Sequence, residues 1–240
     1  MGGANAPANS NPTRPAFHSS RNARPRFLLT TPSLDDLNLA YETGVHLGDG
    51  CLSAGRYVIS GNKENETRYY EDILSPLIED LYSLSPAIAF QNNSIYLRVY
   101  SKELVDFKHS ELGLPIGKKS GLRIPPCMSS GNRTSGNVVC GLYDTDGSVK
   151  IRHDKSGDYP RISLGQKHRG LVQEIKLILG NLGITSTMYR NDYFDPRSGK
   201  IATRWFLDIN GFKNFETFVS RIGTRSPYVL DRISQVRAIA

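Results

Sequence analysis

The feature that most constrains this chain is a short pattern that occurs twice. Gly44-Val-His-Leu-Gly48-Asp49-Gly50 and Gly141-Leu-Tyr-Asp-Thr145-Asp146-Gly147 each place two small residues four positions apart, then an aspartate and a glycine. Residues four apart share one face of a helix. A face without side-chain bulk lets two helices approach backbone to backbone. If the two helices pack on each other, Asp49 and Asp146 arrive side by side at their C-terminal ends. A lone Gly-Asp-Gly is usually no more than a turn. Two copies after matching helices, each followed by a hairpin, form a far more specific pattern.

The surrounding elements repeat as well. Ser33-Leu34-Asp35-Asp36 reads as an N-cap with acids in the first turn of a helix that ends at Gly48-Asp49-Gly50. Strands are predicted over 51–54 and 56–62, then a helical stretch over 64–84 with a bend at Pro76, strands over 87–90 and 95–100, and a helix over 102–112. Residues 113–137, rich in Gly and Pro and carrying Lys118, Lys119, Arg123 and Arg133, read as a basic linker. The pattern then restarts: a helix ending at Asp146, strands over 148–152 and 161–166, a helix over 171–182 stopped by Gly183, strands over 185–189 and 204–209, and a helix over 212–222. Each half is helix, hairpin, helix, hairpin, helix. The expected division is a basic tail (1–32), a first repeat (33–112), the linker (113–137), a second repeat (138–223) and a C-terminal tail (224–240).

Composition narrows the partners. A formal charge of +7 suits a polyanion, since neutralising phosphates releases counterions, although a solvated basic surface would have the same sum. No apolar run approaches the roughly 20 residues of a membrane helix. Cys51, Cys127 and Cys140 are scattered, which fits a reducing compartment and no structural zinc site. The first 30 residues carry Arg14, Arg21, Arg24 and Arg26 before any acid and are expected to be disordered. A basic arm along DNA and an organelle transit peptide are the competing readings.

Two adjacent carboxylates, each at the negative end of a helix dipole, repel one another until a divalent cation binds. Hard oxygen ligands suit Mg²⁺, and such a pair holding metal against a phosphate is what phosphodiester hydrolysis requires. Gly61-Asn62-Lys63 and Gly165-Gln166-Lys167 each close a hairpin before a helix. Lys63 and Lys167 could offset charge on phosphate, and Asn62 and Gln166 could orient a water. Strand alternation places Ser148, Lys150 and Arg152 on one face, with Arg161 and Ser163 on the next strand, and Cys51, Ser53 and Tyr57 on the equivalent face of the first half. Arg98, Arg190 and Arg204 are further candidates for DNA contact. The same alternation would describe a plain solvated face.

Over residues 34 to 223 the chain resembles the LAGLIDADG homing endonuclease family, its nine-residue motif falling on 42–50 and 139–147. The resemblance is greatest to free-standing archaeal intron-encoded members. It implies an α+β fold of two pseudo-symmetric αββαββα repeats, with antiparallel sheets forming a saddle over DNA. It also implies that Asp49 and Asp146 bind two or three Mg²⁺ ions, with Mn²⁺ able to substitute and the carbonyls of Gly48 and Thr145 as extra ligands. Lys63, Lys167, Asn62 and Gln166 fall at the family's active-site positions. The implied activity is cleavage of both strands of a long, partly asymmetric duplex across the minor groove, leaving 3′ overhangs, by a monomer in a prokaryotic cytoplasm or, with a transit peptide, an organelle. An RNA maturase acting on its own intron and a catalytically silent DNA-binding protein are the alternatives on the same fold. Glu42, Thr43 and His46 depart from the apolar or small residues usual at their motif positions.

Overall fold

The structure, a computed structural model, describes residues 29–155, 157–196 and 199–239. Residues 1–28 of the expected tail lie outside them. The first repeat comprises α1 (Leu37–Asp49), β1 (Gly50–Ser53), β2 (Arg56–Asn62), α2 (Lys63–Tyr69), a π-helical turn (Tyr70–Leu74), α3 (Ser75–Tyr82), β3 (Ala87–Gln91), β4 (Ser94–Tyr100) and α4 (Lys102–Ser110). After α5 (Pro126–Ser129) come α6 (Asn132–Asp146), β5 (Gly147–Asp154), β6 (Gly157–Gln166), α7 (Arg169–Asn181), β7 (Thr187–Asp195), β8 (Lys200–Asn210), α8 (Phe212–Arg221) and α9 (Pro227–Ile239). The strands form two four-stranded antiparallel sheets, ordered β1-β2-β4-β3 and β5-β6-β8-β7. This is the expected α+β duplication.

One rung aligns the repeats: Gly50 faces Ile59, which faces Leu97, and Gly147 faces Leu164, which faces Leu207. The helices before these rungs pack backbone to backbone. A Cβ at Gly44 would lie 2.8 Å from the Leu142 nitrogen and closer still to the Val138 carbonyl oxygen. One at Gly141 would lie 2.9 Å from the Val45 nitrogen and closer still to the Tyr41 carbonyl oxygen. Any side chain there would force the helices apart.

Several boundaries differ from the sequence expectation. The cap of α1 is Asp36 rather than Ser33, its Oδ1 accepting from the backbone of Asn38 (2.6 Å) and Leu39 (3.1 Å). The bend expected at Pro76 is a π turn, in which the Ser75 N–H reaches back to the Tyr70 carbonyl just before proline removes a donor. α6 starts within the expected linker. The second hairpin of the second repeat is longer on both strands than expected, and the expected C-terminal tail contains α9. Val229, Ile233 and Val236 of α9 are buried, an i, i+4, i+7 stripe that marks an amphipathic helix. The linker is packed too: Leu114, Leu122, Ile124 and Met128 are buried, and Gly117 N–H donates to the Leu52 carbonyl in β1.

One departure in the first motif, Glu42, is resolved by a buried charge pair. Glu42 is fully buried and accepts from Lys108 Nζ (2.5 Å), Tyr57 Oη (2.5 Å) and Tyr82 Oη (2.9 Å). The ammonium also lies over the rings of Tyr57 (4.6 Å) and Tyr82 (5.4 Å). Removing one partner strands the other charge in the core. Lys108→Met alone should therefore cost about 3–5 kcal/mol. Glu42→Leu combined with Lys108→Met should recover most of it, read by denaturant unfolding.

Candidate active site

Asp49 and Asp146 end α1 and α6, and the close approach of those helices sets them together. A Cβ on Gly48 would lie 2.9 Å from Asp146 Oδ2, and the Thr145 hydroxyl fills the remaining space beside it. Thr145 Oγ1 donates to the Leu142 carbonyl (3.0 Å). Burial, then the charges of Asp146 and Glu66, push the Asp49 carboxyl up to about 8, with Lys119 opposing. Burial raises Asp146 as well, against Lys119, a hydrogen bond from Gln166 and the charge of Arg204. Gln166 Nε2 donates to Asp146 Oδ2 (2.5 Å).

A cation whose charge acts on both carboxylates comes from the linker. Lys119 Nζ donates to the carbonyls of His46 (2.9 Å), Leu47 (3.1 Å) and Gly48 (2.6 Å), capping α1 where its dipole is negative. Its burial lowers its pKa, and the charges of Asp146 and Asp49 oppose that. Docking of Gly117 against Leu52 aims the chain into this position. Lys119, Asp146, Gln166, Lys167, His168 and Arg204 line a cleft of about 380 Å³. The sequence reading placed Lys119 in a linker, and no spacing rule marks it.

The two candidate triplets do not match as aligned. The Ile59–Leu164 equivalence puts Gly61 opposite Gln166 and Asn62 opposite Lys167. Asn62 caps α2, accepting from Glu64 (2.9 Å) and Asn65 (3.2 Å), and Lys63 lies over the Phe90 ring (5.5 Å). Neither joins the aspartates. The Gly48 carbonyl, expected as a metal ligand, accepts from Lys119.

The sheet faces follow the register. Ser148 faces Ser163 and Lys150 faces Arg161, so these four share a face. Arg161 is tied to Asp208 (3.1 Å) and Asn210 (2.9 Å), and Ser163 donates to Asp208 (2.6 Å). Arg152, facing Tyr159, and Arg204, facing Asn191, are exposed on this side. Arg190 faces Trp205, lies on the opposite side and pairs with Asp192 (2.7 Å). In the first sheet Ser53 faces Arg56, so alternation changes phase across the two-residue turn. Arg56, not Tyr57, joins Cys51, Ser53 and Arg98, whose guanidinium lies 5.1 Å from the Tyr96 ring. Tyr57 is fully buried against Glu42 and is withdrawn from the DNA face.

Comparison with known proteins agrees with this fold. The model of the LAGLIDADG-like domain matches residues 135–223, the second repeat. Structures of the homing endonuclease I-DmoI share the fold of both repeats: a mesophilic variant aligns at TM-score 0.55 and 22% identity over 80% of this chain and 97% of its own. The second repeat is a LAGLIDADG-like domain. I-DmoI in complex with DNA and Mn aligns at TM-score 0.54, 22% identity, over 80% of this chain and 98% of that one. Full-length DUF199/WhiA from Thermatoga maritima aligns at 0.53 with 15% identity, over 85% of this chain and 61% of that one. Among curated relatives, ribonucleoside-diphosphate reductase NrdEB subunit alpha of Bacillus subtilis is 24% identical over 65% of this chain. Reverse gyrase of Methanocaldococcus jannaschii is 24% identical over 63%. The chain spans only 15% and 9% of those two relatives.

The raised Asp49 makes a testable statement about pH. A carboxyl whose folded pKa exceeds its unfolded value holds a proton that the unfolded chain has released, so stability falls as pH rises from about 4 to about 8. A divalent cation binding there would have to displace that proton. The rise in unfolding temperature caused by Mn²⁺ should therefore be larger at pH 8 than at pH 6. Equal shifts would count against the acid pair as the seat.

Proposed function

We propose that this protein is a LAGLIDADG-type site-specific endonuclease that hydrolyses one phosphodiester in each strand of a long, partly asymmetric DNA duplex, as a monomer dependent on Mg²⁺. The observation that carries this reading is the buried Asp49–Asp146 pair, with Lys119 and Arg204 beside it, at a helix interface that joins two sheets bearing polar faces. The fit to a divalent cation is chemical: hard carboxylate oxygens, excess negative charge, and a cleft open beside Asp146. When bound, such an ion polarises the phosphate and lowers the pKa of water. The chain's own residues do the rest. Asp49 and Asp146 hold the cation, Gln166 keeps the Asp146 carboxylate oriented, and Lys119, Lys167 and Arg204 place positive charge along the cleft where a phosphate would sit. Both scissile phosphates then straddle the pair across the minor groove, which leaves 3′ overhangs. The DNA complexes of I-DmoI support the choice of partner.

A second reading, DNA binding without cleavage, draws on the Gly48 carbonyl already being held by Lys119. A plasmid library of random inserts, incubated with the protein and Mg²⁺, separates the two. Recovery of linearised plasmids with a shared cut sequence and 3′ overhangs supports the nuclease. Duplexes retained by the protein but never cut support the second reading.

A further inference from the structure

The two aspartates have different companions. Beside Asp146, Gln166 extends its amide to the carboxylate. The equivalent position beside Asp49 is Gly61, which has no side chain. Its place is taken from α2 and the π turn. A Cβ built on Gly61 would collide with a Glu66 carboxylate oxygen and lie 2.7 Å from the Tyr70 hydroxyl. Tyr70 is 1% exposed, and its hydroxyl has no hydrogen-bond partner. The charges of Asp49 and Glu66 both act on that phenol, and the charge of Asp146 acts on Glu66. An orphaned buried hydroxyl beside carboxylates is a costly arrangement unless something polar binds there.

Building on the endonuclease reading, we propose that Glu66 and Tyr70 complete the metal seat on the Asp49 side, holding water of the bound ion's hydration shell where Gln166 serves Asp146. Among the described residues no three acidic, cysteine or histidine side chains converge closely enough to hold an ion by direct ligation. Contact through water is the mode Mg²⁺ favours, because it dehydrates reluctantly. Glu66 also has a local role: the Asn62 backbone N–H donates to its carboxylate. The test must separate the two roles.

Glu66→Gln does so, since its amide oxygen still accepts from Asn62 while the charge is gone. Tyr70→Phe removes only the unpartnered hydroxyl. Mn²⁺ binding to the full chain without DNA, followed by electron paramagnetic resonance, should weaken roughly tenfold in Glu66→Gln and measurably in Tyr70→Phe, the scale on which outer-shell partners act. Glu64→Gln, exposed on the same helix, should bind as the wild type. If Asp49→Asn abolishes Mn²⁺ binding while Glu66→Gln and Tyr70→Phe both bind normally, the roles given to Glu66 and Tyr70 are overturned and the aspartate pair stands. If Asp49→Asn binds Mn²⁺ normally, the aspartate seat fails, and this proposal with it.

Discussion

Gly141→Ala is expected to lower stability by about 3 kcal/mol or more, although alanine is the better helix former. The added methyl falls inside the Tyr41 carbonyl oxygen and within 2.9 Å of the Val45 nitrogen. Backbone atoms on a close-packed helix cannot swing aside as a side chain can. α1 and α6 must separate, which loosens the core shared by both repeats and moves the aspartates apart. Denaturant unfolding should show a lower midpoint. Gly180→Ala is the control, because a Cβ there meets nothing within 4 Å. A Gly141→Ala protein as stable as the wild type would mean that the helices do not meet as described.

Asp146→Asn should reduce DNA cleavage by roughly a thousandfold. A metal that polarises a phosphoryl oxygen supplies several kcal/mol, and each 1.4 kcal/mol is about a factor of ten in rate. The amide keeps an oxygen that can accept from Gln166, so the fold should hold. Replacing a buried carboxylate by a neutral group should leave the metal-free protein no less stable at pH 8. Rate loss with intact stability distinguishes a lost ligand from a damaged fold. Residual cleavage near the wild-type rate would remove Asp146 from the centre.

Much of this was legible because it depends on local rules. The glycine spacing pointed to the helix contact and strand patterning to the hairpins, while their assembly into two sheets was what the family resemblance implied. Where the reading failed, the deciding contact was non-local. Counting alternate residues through the Ala54-Gly55 turn put Tyr57 on the polar face, but the register pairs Ser53 with Arg56 and sends Tyr57 to Glu42. Aligning the triplets by their letters matched Asn62 with Gln166, but hydrogen-bond register shifts the match by one residue. Lys119 reaches the aspartates because the linker docks on β1, and Glu42 is tolerated because Lys108 lies across the core. No periodicity in the neighbourhood of either residue encodes those meetings.

The position of Lys119 has a consequence for symmetry. A duplicated domain can supply each half with its own copy of every group, but the tether between the halves exists once. Its ammonium caps one helix only, so α1 is neutralised at its end by a device α6 lacks. A molecule joined this way has a left and a right hand on its duplex, and two copies of either half alone could not rebuild the same centre.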